Sequence, residues 1–298
     1  MSRHLRPLRF LCTLTAAVVC LSCVRGARLA PPAQARVQVD VIAVNHGDSI
    51  LVTSASGKSL LIDGGEAEAA ATILALLHER GVCPLDMILL THPHSDHAGG
   101  LSQVIDSCGA RLFVDSGYPH PSLVYARLLE RMEKRGVPLR QAEAGRVIDL
   151  GSNATLTLMG PPRPFIENGS DSANANSVVA RLALGKTSVL LAGDADASEE
   201  SWLLSQGTAL RSTVLKVGHH GSRTSSTMAF LDAVSPRLAV ISNWPDAPKH
   251  PHPETLARLK QAKAQILETG REGTIHLELD GETVVVRTEN HPGQVRLP

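Results

Sequence analysis

The stretch LLTHPHSDHAGGL, which occupies residues 89–101, constrains this chain more than any other segment. An apolar run is followed by three histidines and an aspartate within six residues, and then by a pair of glycines. Imidazole and carboxylate groups are the usual protein ligands of zinc and similar divalent ions. Packing alone gives no reason to collect four such groups after one strand, so the pattern predicts a metal site. The predicted ligands are His92, His94, Asp96 and His97.

The composition is that of a globular protein without a strong charge preference. The 298 residues include 29 Lys+Arg and 29 Asp+Glu, so no net charge draws the chain towards nucleic acid or anionic lipid. Aromatic residues make up only 3%, which argues against a long platform for stacked bases. A local groove could still hold a phosphate group, and the length suffices for a large buried core.

The N-terminus is typical of a secretory signal. A basic start precedes the apolar run FLCTLTAAVVCLSC, which is too short to span a bilayer comfortably. Residues 1–35 are therefore predicted to be a signal peptide and linker, with residues 36–298 as the folded domain; a buried N-terminal helix is the alternative. Cys23 resembles the lipidation site of bacterial lipoproteins, although Cys20 stands where that site prefers Leu or Val. We expect export from a bacterial cytoplasm, to a periplasmic, secreted or lipid-anchored location.

Two cysteines of the folded domain are candidates for a disulfide bond. Cys83 and Cys108 each precede an apolar strand, in PLDMILLT and ARLFVDSG. If these strands are parallel neighbours joined by the helix between them, both cysteines lie at one edge of a sheet, within disulfide reach. An oxidising compartment would permit the bridge. The alternative is a pair of buried free thiols.

Hydrophobic periodicity predicts a layered arrangement of strands and helices. Three short β-type runs open the domain as antiparallel strands, after which strands alternate with helices, twice over. This order favours sheets inside and helices outside. The longest irregular stretch, PPRPFIENGSDSANAN, is of a length that is often functional. The predicted strands are RVQVDVIAV, DSILVTS, KSLLIDGG, DMILLTH, RLFVDSG, NATLTLMG, SVVARLAL, TSVLLAGD, STVLKVG, LAVIS, GTIHLEL and TVVVRTE.

The pattern H-x-H-x-D-H of residues 92–97 resembles the signature of the metallo-β-lactamase fold superfamily. The resemblance runs from DVIAVNHGDSILV to the C-terminus, so it covers nearly all of the chain after the N-terminal segment. It implies an α/β fold, a four-layer αββα sandwich with two mixed β-sheets. It also implies a hydrolase domain over residues 36–298 that holds two divalent metal ions, zinc by preference and manganese as the alternative.

The same resemblance implies ligands from later in the chain. Superfamily members carry an aspartate after a later strand that bridges the two ions, and SVLLAGDADASEE supplies Asp194 at that point. A further histidine follows the next strand, where VLKVGHHGSRTSS offers His219 and His220. The sequence does not decide which of these two histidines is the ligand.

Several motifs indicate a branch of the superfamily. DVIAVNHGDSILV, NSVVARL, LKVGHHGS and HPHPETLARL together look like the hydrolase domain of ComEC-type competence proteins, and related exported hydrolases and phosphorylcholine esterases look similar. The pair of histidines in HHGS argues against β-lactamases and glyoxalases, which usually have one there. Asn174 and Asn176 stand in the loop where many members carry a histidine. The first ion would therefore lack one imidazole, which favours phosphoester chemistry and leaves manganese open.

Six further residues are predicted to support the ligands or to face the substrate. Asp48 and Asp63 follow strands beside glycines, where Asp is also common simply as a turn former. His250 lies between prolines before a helix, either in a plain surface loop or facing the substrate. Asp196 and Glu199 are predicted to cap and begin a helix. The six residues are Asp48, Asp63, Asn174, Asn176, Ser222 and His250.

The predicted chemistry is hydrolysis. A water shared by two divalent ions loses a proton near neutral pH, and the resulting metal-bound hydroxide is the nucleophile. Asp96, His219 and His220 are the predicted catalytic residues, with the non-ligating histidine donating to the substrate oxygen or the leaving group. We expect a phosphoester substrate, possibly DNA, in which the enzyme cleaves a phosphodiester bond. Because the sequence shows no span for a membrane channel, the chain itself is not expected to be a pore. The alternatives are hydrolysis of a β-lactam or another ester or amide, and an accessory role in processing DNA during uptake.

Overall fold

The chain divides into two units, Met1–Ala33 and Gln34–Pro298. The computed structural model describes residues 1, 35–167, 171–245 and 250–298. The predicted signal peptide and the candidate lipidation site at Cys23 therefore lie outside the described residues. None of the described helices combines the length and the apolar character that a helix needs to cross a membrane.

Sixteen strands and eight α-helices make up the described part of the second unit. The strands are β1 (Val37–Val41), β2 (Ile50–Ser54), β3 (Ser59–Ile62), β4 (Met87–Leu90), β5 (Phe113–Asp115), β6 (Leu139–Gln141), β7 (Val147–Gly151), β8 (Ala154–Leu158), β9 (Ala180–Leu184), β10 (Thr187–Leu191), β11 (Val214–Lys216), β12 (Leu238–Ile241), β13 (Gln265–Glu268), β14 (Ile275–Leu279), β15 (Val284–Thr288) and β16 (Val295–Leu297). The helices are α1 (Ala70–Arg80), α2 (Ser95–Ala98), α3 (Leu101–Ser107), α4 (Leu123–Arg135), α5 (Ala197–Ser205), α6 (Met228–Val234), α7 (Pro253–Gln261) and α8 (Thr269–Glu272).

The first sheet has nine strands in the order β16-β15-β14-β1-β2-β3-β4-β5-β6. Its strands are antiparallel from β16 to β3 and parallel from β3 to β6. The predicted antiparallel start is thus confirmed, and the sheet is mixed. The carboxyl ends of the parallel strands open towards the loops that carry the predicted metal ligands.

The second sheet has seven strands in the order β13-β12-β11-β10-β9-β8-β7. Here β10 to β13 are parallel, while β7 to β10 are antiparallel. This sheet is therefore also mixed. The loops after β10 and β11 leave the same edge of the sheet, since parallel strands end on the same side.

Three apolar clusters define four layers. The central cluster joins the inner faces of the two sheets, and outer clusters pack α1, α3 and α4 on the first sheet and α5, α6 and α7 on the second. Strand β4 shows the cause: Leu89 belongs to the central cluster and Ile88 to the outer one, so both faces are covered. A strand covered on both faces is a continuous apolar run. The predicted αββα sandwich is confirmed.

The predicted disulfide is confirmed as well. Strands β4 and β5 are parallel neighbours with α3 between them in the chain. Cys83 and Cys108 precede these strands, with their Cα atoms 4.9 Å apart and their sulfur atoms bonded. An isolated parallel bridge between Leu85 and Ala110 continues the pairing towards the two cysteines.

Four strands were not predicted from the periodicity, namely β6, β7, β13 and β16. All four lie at sheet edges. An edge strand is paired on one side only and is often short and polar, so its apolar pattern is weak. Strand β6, for example, has the sequence LRQ and is exposed along its whole length.

Candidate metal centre

The loop after β4 places four polar groups in a tight space. His92 lies two residues after the end of the buried strand β4, His94 precedes α2, and the single turn of α2 carries Asp96 and His97. The packing requires glycine after α2, because a Cβ on Gly100 would collide with the carbonyl oxygen of Gly64, which follows β3. The local sequence thus turns the chain back and presents all four side chains on one side.

Side chains from the second sheet meet this loop. Asp194 follows β10 and His220 follows β11, and both are buried. Nε2 of His97 lies 3.4 Å from Oδ1 of Asp194, and Nε2 of His220 lies 3.3 Å from Oδ2 of Asp96. One ligand atom from each of Asp96, His97, Asp194 and His220 lies within 4.8 Å of all the others, a spacing that suits one metal ion.

A further pair of ring nitrogens lies close to Asp194. Nε2 of His92 is 3.0 Å from Nδ1 of His94 and 3.8 Å from Oδ2 of Asp194. We call His92 and His94 the first ligand group, and Asp96, His97 and His220 the second ligand group. Asp194 faces both groups, as expected of the residue predicted to bridge two ions.

The two consecutive histidines occupy different places. His220 is buried within the second ligand group, whereas 26% of the His219 side chain is exposed and its Nε2 lies 3.9 Å from Oδ2 of Asp194. Both residues have positive φ angles, 49° and 51°, which non-glycine residues rarely adopt. The turn therefore sends the two rings in different directions, one into the centre and one to its mouth.

The outer nitrogen of each of these ligand rings has a partner. Nδ1 of His97 lies 2.8 Å from Oδ2 of Asp63, and Nδ1 of His92 lies 3.1 Å from Oγ1 of Thr91. Nε2 of His94 is 3.2 Å from Oδ1 of Asp171. Such partners orient metal-binding imidazoles and determine which nitrogen is free for the ion. In every case the remaining nitrogen points towards Asp194 or the neighbouring ligand.

The inward-facing atoms fit a divalent ion. Nε2 of His97, Nε2 of His220 and Oδ1 of Asp194 are buried and have no hydrogen-bond partner among the described residues. A buried polar atom without a partner costs free energy, and three of them around one point form an unsatisfied donor set. Nitrogen and carboxylate oxygen in this mixture are what zinc prefers, and manganese accepts them too.

Charge at the centre is tightly coupled. Burial would raise the pKa of Asp194, but His220, His97 and His219 hold that pKa well below its ordinary value. Burial would lower the pKa of His97, but the carboxylates of Asp194, Asp63 and Asp96 raise it well above its ordinary value. The ionised carboxylates therefore favour a proton on His97, and a metal ion bound by that ring would replace the proton.

The six predicted supporting residues have different surroundings. Asp63 accepts from Thr91 and contacts His97, and Asp48 has Oδ1 3.6 Å from Nδ1 of His220. The ring of His250 lies 5.7 Å from that of His219, at the mouth of the centre.

The remaining three contribute less directly. Asn174 donates to Asp171 at 3.2 Å and so supports the partner of His94. Asn176 uses its side chain within its own loop, on Ile166 and Ser172, and the hydroxyl of Ser222 bonds to Thr224. These bonds shape the loops beside the centre.

Three residues at the centre were not predicted from the sequence. Nε2 of His46 lies 3.6 Å from Oδ2 of Asp96, and its ring packs 4.6 Å from that of Trp244. The ring of His120 lies 5.2 Å from that of His94. Neither histidine stands in a recognisable spacing. Asp171 lies in the irregular stretch PPRPFIENGSDSANAN, and only the length of that stretch suggested that it contributes to a site.

Comparison with known proteins identifies the family. The family model described as "Metallo-beta-lactamase superfamily" matches residues 42–243. The chain belongs to this superfamily. Among solved structures, a mutant of the CmlA beta-hydroxylase has a TM-score of 0.51 at 12% identity, covering 84% of this chain and 55% of that one, which shows the fold alone.

Curated relatives confirm the resemblance to the competence branch. The "Competence protein ComA" of Neisseria gonorrhoeae is 33% identical over 251 residues, 81% of this chain and 32% of that protein. The "ComE operon protein 3" of Bacillus subtilis is 26% identical over 257 residues, 80% of this chain and 32% of that protein. The chain thus spans about a third of the length of these relatives. It is a metal-dependent hydrolase of the superfamily, with relatives named for competence.

Proposed function

We propose that the protein is a phosphodiesterase that uses two divalent metal ions, with DNA as its substrate. The single observation that carries the proposal is that Asp194 approaches both ligand groups, with Oδ2 3.8 Å from Nε2 of His92 and Oδ1 3.4 Å from Nε2 of His97. Two adjacent ions suit an in-line displacement at phosphorus, because one can serve the attacking oxygen and the other the leaving oxygen. The relatives named for competence support DNA over other phosphoesters.

The residues divide into two sets of ligands. His92 and His94 would hold one ion, and the second ligand group would hold the other, with Asp194 shared between them. The first set offers two imidazoles, so oxygen ligands from substrate or solvent would complete it, and manganese is as suitable as zinc there. When bound, the ions polarise a phosphoryl oxygen and lower the pKa of the water that attacks phosphorus.

His219 is the residue of this chain best placed to act on substrate. It lies at the mouth of the centre, 26% of its side chain is exposed, and its ring approaches that of His250 at 5.7 Å. A ring in this position can donate a hydrogen bond to a phosphoryl oxygen or to the leaving oxygen. Its buried neighbour His220 cannot do so, because its free nitrogen faces Asp96.

We also propose that the protein acts outside the cytoplasm. The bond between Cys83 and Cys108 supports an oxidising compartment, since structural disulfides are rare in reducing ones. A signal peptide over residues 1–35, with lipidation at Cys23, would deliver the protein there. Labelling with a radioactive fatty acid and fractionation of cells that express the wild type and Cys23→Ala would test the anchor.

Metal analysis followed by a substrate panel tests the activity. The protein is stripped of metal, reloaded with zinc or manganese, and assayed on bis-p-nitrophenyl phosphate, DNA, a choline phosphoester and nitrocefin. We expect metal-dependent cleavage of the first two, strongly reduced in His219→Ala and unchanged in His78→Ala, an exposed histidine of α1. Cleavage of nitrocefin without cleavage of phosphodiesters would overturn the proposal. Cleavage of the choline phosphoester alone would show that DNA is not the substrate.

A further inference from the structure

Lys216 is a buried cation that the proposed hydrolysis does not use. It is the last residue of β11, and only 1% of it is exposed. Long charged side chains normally keep their charged end in water, so a lysine this deeply buried is rare. Its ammonium group therefore needs partners inside the protein.

The partners of Lys216 join the two sheets. Its Nζ lies 2.8 Å from Oδ2 of Asp48, in the connection between β1 and β2 of the first sheet, and donates to the carbonyl oxygen of Val217 at 2.8 Å. Asp48 is buried too, at 1% exposure. Apolar side chains of similar volume often replace a buried ion pair without loss of stability, so stability alone is a weak reason for this one.

The other oxygen of Asp48 faces the second ligand group. Oδ1 has no hydrogen-bond partner among the described residues and lies 3.6 Å from Nδ1 of His220. The same nitrogen lies 3.2 Å from the carbonyl oxygen of Ser242. The outer nitrogen of the His220 ring is thus within hydrogen-bond distance of the Ser242 carbonyl and lies beside Oδ1 of Asp48, whose other oxygen is bound by Lys216.

The backbone at His220 needs such support. His219 and His220 both have positive φ, and backbone of this kind persists only where surrounding contacts determine it. Asp48 is itself held in place, because its N–H donates to the carbonyl of Asp96 at 3.2 Å and its own carbonyl accepts from Gly65 at 2.8 Å. The side chain of Asp48 is therefore a defined contact against which the ring can be oriented.

We propose that Lys216 is a positioning residue for the second ligand group. Its ammonium group holds Asp48 against the outer nitrogen of His220, so that Nε2 of that ring faces Asp96 and Asp194 and can take a metal ion. The inference rests on the proposed function, because it concerns one of the two ions which that function requires. Without the ammonium group, the carboxylate of Asp48 is unpaired and free to rotate, and the outer nitrogen of the ring keeps only the Ser242 carbonyl to orient it.

The test is a titration of metal-free Lys216→Met with cobalt(II). Calorimetry measures the affinity of each equivalent, and visible absorption reports the surroundings of the bound ion. We expect the wild type to bind two equivalents. In the variant one equivalent should bind within about twofold of the wild type, while the other weakens about ten- to a hundredfold and its absorption changes. Lys186→Met is the matched control, because that lysine pairs with Glu282 at 2.7 Å on the surface, with 77% of its side chain exposed.

The inference is overturned if Lys216→Met binds both equivalents as the wild type does, or if the wild type binds only one. Should the single variant fail to fold, the double variant Lys216→Met/Asp48→Asn leaves no unpaired charge. It should fold and bind one cobalt(II) equivalent with the same weakened affinity. Normal affinity in the double variant would overturn the inference and mean that Lys216 and Asp48 only link the two sheets. A wild type that binds two equivalents but cleaves no phosphoester would overturn the proposed function and leave this inference intact.

Discussion

The loop after β4 and the loop after β11 both bring histidines to Asp194, but they are built differently. The first presents its ligands from six consecutive residues in extended and helical backbone, and Asp63 and Thr91 of the same sheet orient two of its rings. The second has two histidines in left-handed backbone, and His220 is oriented from outside by Asp48 of the opposite sheet and by Ser242. The first loop is a local structure, whereas the second depends on how the two sheets pack together.

The residue that both loops share should give the largest effect. Asp194→Asn removes a negative charge next to both ligand groups, and with it the ligand that the two ions of the proposed function would share. We expect the rate on bis-p-nitrophenyl phosphate to fall by about a thousandfold or more, since each tenfold corresponds to about 1.4 kcal/mol of activation free energy. Circular dichroism should show an unchanged fold. Retained turnover in this variant would contradict a shared ion pair.

Removal of the disulfide tests whether metal binding by the loop after β4 depends on structure outside that loop. The disulfide lies before β4 and β5, the strands below that loop, and closes a sequence separation of 25 residues. The variant Cys83→Ser/Cys108→Ser should lose about 3.5 kcal/mol of unfolding free energy by the chain-entropy estimate. Metal affinity should stay close to that of the wild type, because the ligands themselves are not touched. Urea denaturation gives the first quantity, and a large loss of metal affinity would show that the first loop also depends on distant structure.

Glu200 offers a pH test of the second loop. It accepts hydrogen bonds from the backbone N–H groups of Ser226 and Thr227, just beyond that loop. Burial raises the pKa of Glu200 from 4.5 to about 7. Between these values the folded state holds a proton that the unfolded chain has lost, so stability is greater at low pH and falls as the pH rises. The loss between pH 5 and pH 8 should be about 2.5 kcal/mol.

Glu200→Gln provides the control for this pH dependence. The amide is close in shape to the protonated carboxyl group and does not titrate, so the variant should lack this part of the pH dependence. The measured quantity is the difference between the two denaturation profiles, in which other titrating groups cancel. Parallel profiles for wild type and variant would show that Glu200 does not titrate in this range.

The smallest expected effects come from the carboxylates behind the first loop. Asp63→Asn removes the buried partner of His97 and should weaken metal affinity about ten- to a hundredfold. Asp171→Asn removes the partner of His94, but 47% of the Asp171 side chain is exposed, so water can replace it and the loss should be only a few-fold. Competition with a chelator measures both affinities. An equal loss in the two variants would mean that burial of the partner has no importance here.

Much of the fold could be predicted because its strands are apolar on both faces. Strands such as β4 and β10 are buried throughout. Their continuous apolar runs identify them as strands without knowledge of their neighbours. The edge strands β6, β7, β13 and β16 were missed because half of their backbone has no neighbour and their side chains need not alternate. The disulfide followed correctly from strand order, since neighbouring parallel strands bring their starting points together.

The sequence by itself determined the first loop of the centre. His92, His94, Asp96 and His97 are close in space because they are close in the chain, and the residues around them turn the backbone sharply. Asp194 and the pair of histidines could be expected only from resemblance to a family. The physical reason is that their distance from the loop after β4 depends on how two sheets stack, and no local pattern records that.

Only the tertiary structure decided which histidine enters the centre and what surrounds it. The choice of His220 over His219 depends on two left-handed residues and on a carboxylate of the opposite sheet. In the sequence, Lys216 is simply a polar residue at the end of an apolar strand. Its proposed role depends on Asp48, whose Oδ2 lies 2.8 Å from the Lys216 Nζ. Hydrogen bonds act over about 3 Å, so contacts between distant segments exist only once the packing of both sheets has set those distances.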